Sequence, residues 1–217
     1  MTLNVTTKTA QDISYTVRRQ FGDESGVQIK DLDIIHWIND GQKDINNKNK
    51  VLKGRAQVDS VAAVAEYTVP AVNIACIESI HWDGVPIVGL PYPEVESYIK
   101  SYSPDNLSSG TPVIWYEWAG VITFWPSPDA TTVGVITLLY TANPVEITAL
   151  TAVLGIPDKY FNTLVKYVLS QAYEMDEDWN ASQIKSKQLT DDLDEMADEE
   201  RSTSGMTYPV INCVVDY

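Results

Sequence analysis

Only two cysteines, Cys76 and Cys213, and two histidines, His36 and His81, occur among the 217 residues. Two cysteines so far apart make neither a disulfide framework nor a metal-ligand spacing. Cys76 lies in the apolar run Ile74-Ala-Cys-Ile77, so a buried free thiol is expected there. One histidine per region assembles neither a His-based metal site nor a Ser/His/Asp array. His36, mid-helix, and His81, beside Trp82 in a strand, read as packed or partly exposed side chains. Cations are also scarce, 15 Lys and Arg against 30 Asp and Glu, for a net charge of −15. Such a surface repels phosphate backbones, which argues against nucleic-acid binding by charge neutralisation and against an anionic membrane surface. There is no glycine-rich phosphate loop, Walker-type motif or dinucleotide fingerprint. The Asp-rich stretches lack the alternating ligands and central glycine of a calcium loop. No metal, cofactor or enzymatic activity is expected. No apolar run reaches the length of a membrane span. Met1-Thr-Leu-Asn-Val-Thr6 has no charged segment followed by an apolar one, so no secretion signal is expected and synthesis is placed in the cytoplasm.

The chain has ordinary apolar (44%) and charged (21%) fractions, enough for a packed core. Thr9, with Asp12 three residues on, signals a helix start, and Ile13, Val17 and Phe21 form one stripe. A second helix is predicted from Asp31, with Leu32, Ile35, Ile38, Gln42 and Ile45 recurring at three- and four-residue steps and Ile34 and Trp37 widening the stripe. It is expected to run out in the polar Asn46-Asn-Lys-Asn-Lys50. From Ala56 the period changes to alternation. Strands are expected over 57–61, 64–69, 74–82 and 85–88, with Asp83-Gly84 as a hairpin turn. A short helix is expected over 92–102, and a further strand over 133–140. After Pro144 helical spacing returns, with Phe161, Leu164, Val165, Val168, Leu169 and Ala172 on a broad stripe that can run into Trp179. Ile184, Leu189, Leu193 and Met196 follow among many carboxylates. The fold class is therefore α+β. Helices over 1–52 and 155–204 form a bundle, 53–154 is an inserted antiparallel β domain, and 205–217 is an extended C-terminal arm.

Three of the six tryptophans fall within Ser109–Asp129. If Ala119 and Gly120 make the turn, Trp118 faces Val121, Tyr116 faces Thr123 and Ile114 faces Trp125. Side chains alternate along a strand. One face then carries Ile114, Tyr116, Trp118, Val121 and Trp125, and the other Val113, Trp115, Ile122 and Phe124. Two apolar faces imply cover on both sides: the core on one, a helix or a neighbouring subunit on the other. Trp115, Trp118 and Trp125 are thus candidates for core or subunit packing. Glu117, inside the hairpin, would be a candidate acid only if buried with a second carboxylate nearby.

More than half of the Lys and Arg lie before Ala56, whereas Glu174 to Glu200 is strongly acidic. These regions can be solvated faces, or can meet within one chain or between copies. The last segment is apolar and β-prone, unlike the usual polar terminus. Tyr208, Pro209, Val210, Ile211, Val214, Val215 and Tyr217 make it either a terminal strand or an arm that docks on a partner.

The order of Trp37-Ile-Asn-Asp-Gly41, Tyr67-Thr-Val-Pro70, Ile77-Glu-Ser-Ile-His-Trp-Asp-Gly84, Ser109-Gly-Thr-Pro112, Phe124-Trp-Pro-Ser-Pro-Asp129 and Leu139-Tyr-Thr-Ala-Asn-Pro144 resembles the head-to-tail adaptors of tailed bacteriophages. The likeness is to the tail tubular protein A-like adaptors of short-tailed phages, over roughly residues 10–200. It implies a helical bundle with an inserted β domain. It also implies a virion protein forming a twelve-copy ring between the portal and a tail protein, and a C-terminal arm that docks on the portal. Packaged DNA would pass through the ring without specific binding. A carbohydrate-binding β module of a tail or surface protein is the alternative, and requires an exposed tryptophan face.

Overall fold

The structure is a computed structural model and describes residues 7–68, 73–102 and 109–204. The described residues divide into two compact units, one from 7–52 together with 143–204, the other from Lys53–Ala142. From the sequence, the β insertion is expected to run on to about 154. The structure corrects this: Ile147 and Leu154 are buried in the helical core, so residues 143–154 go with the helices.

The helical unit contains α1 (Ala10–Phe21), α2 (Asp31–Asn49), a short 3-10 turn at Asp158–Tyr160, α3 (Phe161–Met175) and α4 (Trp179–Ser204). The α1 start is the expected capping box. The Thr9 hydroxyl accepts from the Asp12 backbone N–H, and the Asp12 carboxylate accepts from the Thr9 backbone N–H. Gly22 closes this helix in the left-handed conformation. The core gathers Ile13 and Val17, Ile34, Ile38 and Ile45, and Leu164, Val168 and Leu169, all at 0% exposure. Leu32, expected on the buried stripe of α2, is 76% exposed instead. The inward face of α2 runs through Ile34, Ile38, Gly41, Gln42, Ile45, Asn46 and Asn49. The long terminal helix does not continue from α3. Asp176 caps that helix, Glu177 takes a positive φ of 62°, and the Asp178 carboxylate accepts from the Ala181 backbone N–H at the new start.

The loop between α1 and α2 is organised by Asp23, 4% exposed. Its carboxylate accepts backbone N–H groups from Val27, Gln28 and Ile29 at 2.8–3.0 Å. These bonds, that from Ile29 foremost, hold its pKa below the ordinary 3.8. A depressed carboxylate pKa stabilises the fold above the unfolded value, and that contribution disappears as pH falls through the folded value. Asp23→Ala should therefore lower the urea midpoint near neutral pH, with the gap to wild type closing on acidification below 3.8. A gap independent of pH would show that the charge is not what matters.

The β unit is a seven-stranded mixed sheet. Its strands are β1 (Lys53–Asp59), β2 (Glu66–Thr68), β3 (Ile74–Trp82), β4 (Val85–Gly89), β5 (Ile114–Trp118), β6 (Val121–Trp125) and β7 (Val135–Ala142), in the order β1-β7-β3-β4-β5-β6-β2. A helix, αi (Tyr92–Tyr102), lies between β4 and β5 in sequence. It is the crossover that makes β4 and β5 parallel, a departure from the expected antiparallel pairing. Asp83-Gly84 and Ala119-Gly120 are both hairpin turns with two positive φ angles, 47° and 80°, and 52° and 77°. The core is Ile77, Ile80, Trp82, Trp115, Ile122, Phe124, Ile136, Leu138 and Tyr140. Cys76, expected as a buried free thiol, is only partly buried in β3 and is not a free thiol.

Candidate interaction surface

The β5–β6 hairpin has the register predicted from its sequence: Ile114 opposite Trp125, Tyr116 opposite Thr123 and Trp118 opposite Val121. Its two faces meet different surroundings. Trp115, Ile122 and Phe124 point into the core, with Trp115 at 6% exposure. Phe124 meets Tyr67 and Trp82 edge-on, each at a centroid distance of 5.6 Å. On the other face Ile114 is fully buried and Trp125 partly so. Tyr92, at the start of αi, stacks on Trp118 at 4.7 Å and 29°, and lies 5.7 Å from Tyr116. Cover on this second face is incomplete, because Trp118 remains 62% exposed and Tyr92 51%. The three tryptophans therefore separate: Trp115 is core, Trp125 is intermediate, and Trp118 forms half of an exposed aromatic stack.

Carboxylates are exposed on the elements that carry the stack and on β2. Glu117 is exposed, as are Glu94 on αi and Glu66 on β2. An exposed Glu117 without a buried second carboxylate gives no acid–base pair. Lys100 donates to Glu96 at 2.6 Å, which holds the Glu96 carboxyl below its usual range. His81 contacts Ser79 at 3.2 Å, and His36 is exposed beside Asp40 at 3.4 Å. Among the described residues no group of three or more His, Cys, Asp or Glu is placed to hold a metal ion. No helix among them is long and apolar enough to cross a membrane. The arm residues Tyr208, Pro209, Val210, Ile211, Val214, Val215 and Tyr217 lie outside the described residues.

Within the helical unit the oppositely charged regions meet at Lys48 and Asp194, 3.0 Å apart. Lys43 also pairs with Glu146 at 2.7 Å, and Lys166 with Asp192 at 2.5 Å. The Lys48–Asp194 and Lys43–Glu146 pairs are well exposed, so each adds little to stability. A stronger organiser is a row of amides along α2 that the sequence does not single out. Asn39 donates to the Ile147 carbonyl and accepts from the Ile147 N–H, both at 2.9 Å. Gln42 accepts from the Gly155 N–H, Asn46 from the Leu52 N–H, and Asn49 donates to the Leu193 carbonyl. Gln42 and Asn46 are 0% exposed. A buried backbone N–H or carbonyl needs a partner, and Asn39, Gln42 and Asn46 supply it to segments that have no ladder of their own, while Asn49 ties α2 to α4. The signal available in the sequence is spacing: 39, 42, 46 and 49 fall on one helical face.

Trp37-Ile-Asn-Asp-Gly41 thereby acquires a structural meaning. Ile38 enters the core, Asn39 holds the 147 segment, and Gly41 permits close approach to α3. These are parts of the stretches that carry the likeness to phage adaptors. The family model of the SU10 adaptor protein matches residues 8–209, nearly the whole chain. No curated protein matches it. A match of that extent, over both the helices and the inserted sheet, shows the family: the chain belongs to the phage SU10 adaptor proteins and is a structural head-tail adaptor.

Proposed function

We propose that the protein assembles as a ring, expected to hold twelve copies, that joins the portal of the phage head to the tail and lines the channel for DNA. The family match over 8–209 carries this reading. The charge supports it: a subunit of net charge −15, repeated around a channel, presents a wall from which DNA is repelled, so that packaged DNA slides past rather than binding. A ring needs two different surfaces per copy, one for each neighbour. The C-terminal residues Tyr208 to Tyr217 are proposed as an arm that docks on the portal, by strand addition or by filling an apolar pocket.

Binding to the portal of the same phage tests this. The full chain should co-sediment with purified portal. Deletion of Met206–Tyr217 should leave the circular dichroism spectrum and the urea midpoint unchanged while abolishing co-sedimentation. Undiminished binding by the truncated chain would remove the arm's role, and failure of the full chain to bind would remove the adaptor reading itself. The carbohydrate alternative draws on the exposed Tyr92–Trp118 stack, and predicts a sugar-dependent change in tryptophan emission that a purely structural surface does not give.

A further inference from the structure

Between Lys53 and Ala142 the sequence contains three cations, Lys53, Arg55 and Lys100, against nine carboxylates. Lys53 is held by Glu78 and Lys100 by Glu96. Arg55 is thus the one cation of the β unit without a carboxylate partner among the described residues. It is exposed, and it stands on β1, which among the described residues hydrogen-bonds only to β7. β1 ends the sheet order, so Arg55 marks one edge of the unit.

The far end of the same sheet has the complementary character. There the β5–β6 hairpin presents the Tyr92–Trp118 stack, and the exposed Glu66 of β2 lies opposite Thr123, itself opposite Tyr116, and so on the same face of the sheet as Trp118. An exposed aromatic face that also carries a carboxylate suits a guanidinium. The plane of the cation stacks on the ring while its N–H groups reach the carboxylate. Arginine and tryptophan are also the residues most enriched where subunit contacts concentrate their energy.

We propose that Arg55 on the β1 edge of one copy seats on the Trp118–Tyr92 stack of the next, with Glu66 as its counter-ion. The contact joins two different surfaces, so it is heterologous and repeats around a ring. It rests on the adaptor reading for the existence of that ring, and names the surfaces through which neighbours meet. Trp118 is left exposed in the single chain because its cover comes from another copy.

The test is a photo-crosslinking amino acid at Trp118 in the full-length chain, assembled with its portal, followed by mass spectrometry of the joined peptides. The expected product links position 118 to residues 53–59 of a second copy. Arg55→Glu should weaken assembly by roughly tenfold or more, as expected for losing a desolvated arginine–tryptophan contact. The double variant Arg55→Glu, Glu66→Arg should recover much of it. Crosslinks to the portal, to a tail protein or to another part of the adaptor overturn this contact and leave the ring standing. A chain that neither self-associates nor meets the portal overturns the contact and the adaptor reading together.

Discussion

Phe124→Ala should destabilise the β unit by about 3–5 kcal/mol, whereas Trp118→Ala, six residues earlier on the same hairpin, should change stability by less than about 0.5 kcal/mol. Composition alone gives the opposite ranking, since tryptophan is the larger apolar group. Burial decides it. Phe124 is 2% exposed and sits edge-on to both Tyr67 and Trp82, so truncation opens a cavity among rings that cannot all move in. Trp118 is 62% exposed, and its aromatic partner among the described residues is the likewise exposed Tyr92. Urea unfolding followed by near-ultraviolet circular dichroism measures both. Equal losses from the two substitutions would mean that the hairpin is covered on both faces within the single chain.

Gly41→Ala should lower stability by about 1–2 kcal/mol, against the sign that helix propensity alone gives. Alanine in place of glycine within a helix is favoured by about 1 kcal/mol. At this position, however, an added Cβ would lie 2.7 Å from a Leu164 methyl and 2.7 Å from the Tyr167 ring. Leu164 is fully buried and has no free space to retreat into, so α2 and α3 must separate, at a cost of about 1–3 kcal/mol that outweighs the propensity. Gly41→Val adds volume at the same point and should cost more. A thermal midpoint raised by Gly41→Ala would show that the two helices have room to spare.

What was legible in the chain was local. The Thr9–Asp12 capping box, the two hairpin turns and the register of the tryptophan hairpin are all specified by residues within a few positions of one another. The parallel pairing of β4 with β5 was not, because it depends on a crossover that brings Val88 beside Ile114. Nor was the allegiance of residues 143–155, which have no period of their own and are held by Asn39 and Gln42 from a distant helix. The amides of α2 show the limit most plainly. Asn46 and Asn49 read as the polar end of a helix, since an amide side chain in a sequence does not reveal whether its partner is water or a buried backbone group. For the candidate surface, alternation correctly separates the two hairpin faces. Which face keeps an exposed tryptophan depends on where αi begins, at Tyr92.

Electron cryo-microscopy of the purified protein mixed with the portal of its own phage tests the central claim most directly. The account predicts a closed ring of this chain seated on the portal, with the Trp118 stack covered by a neighbouring copy and an acidic channel wall. A protein that leaves the portal bare, or a ring whose lumen is strongly basic, would contradict it.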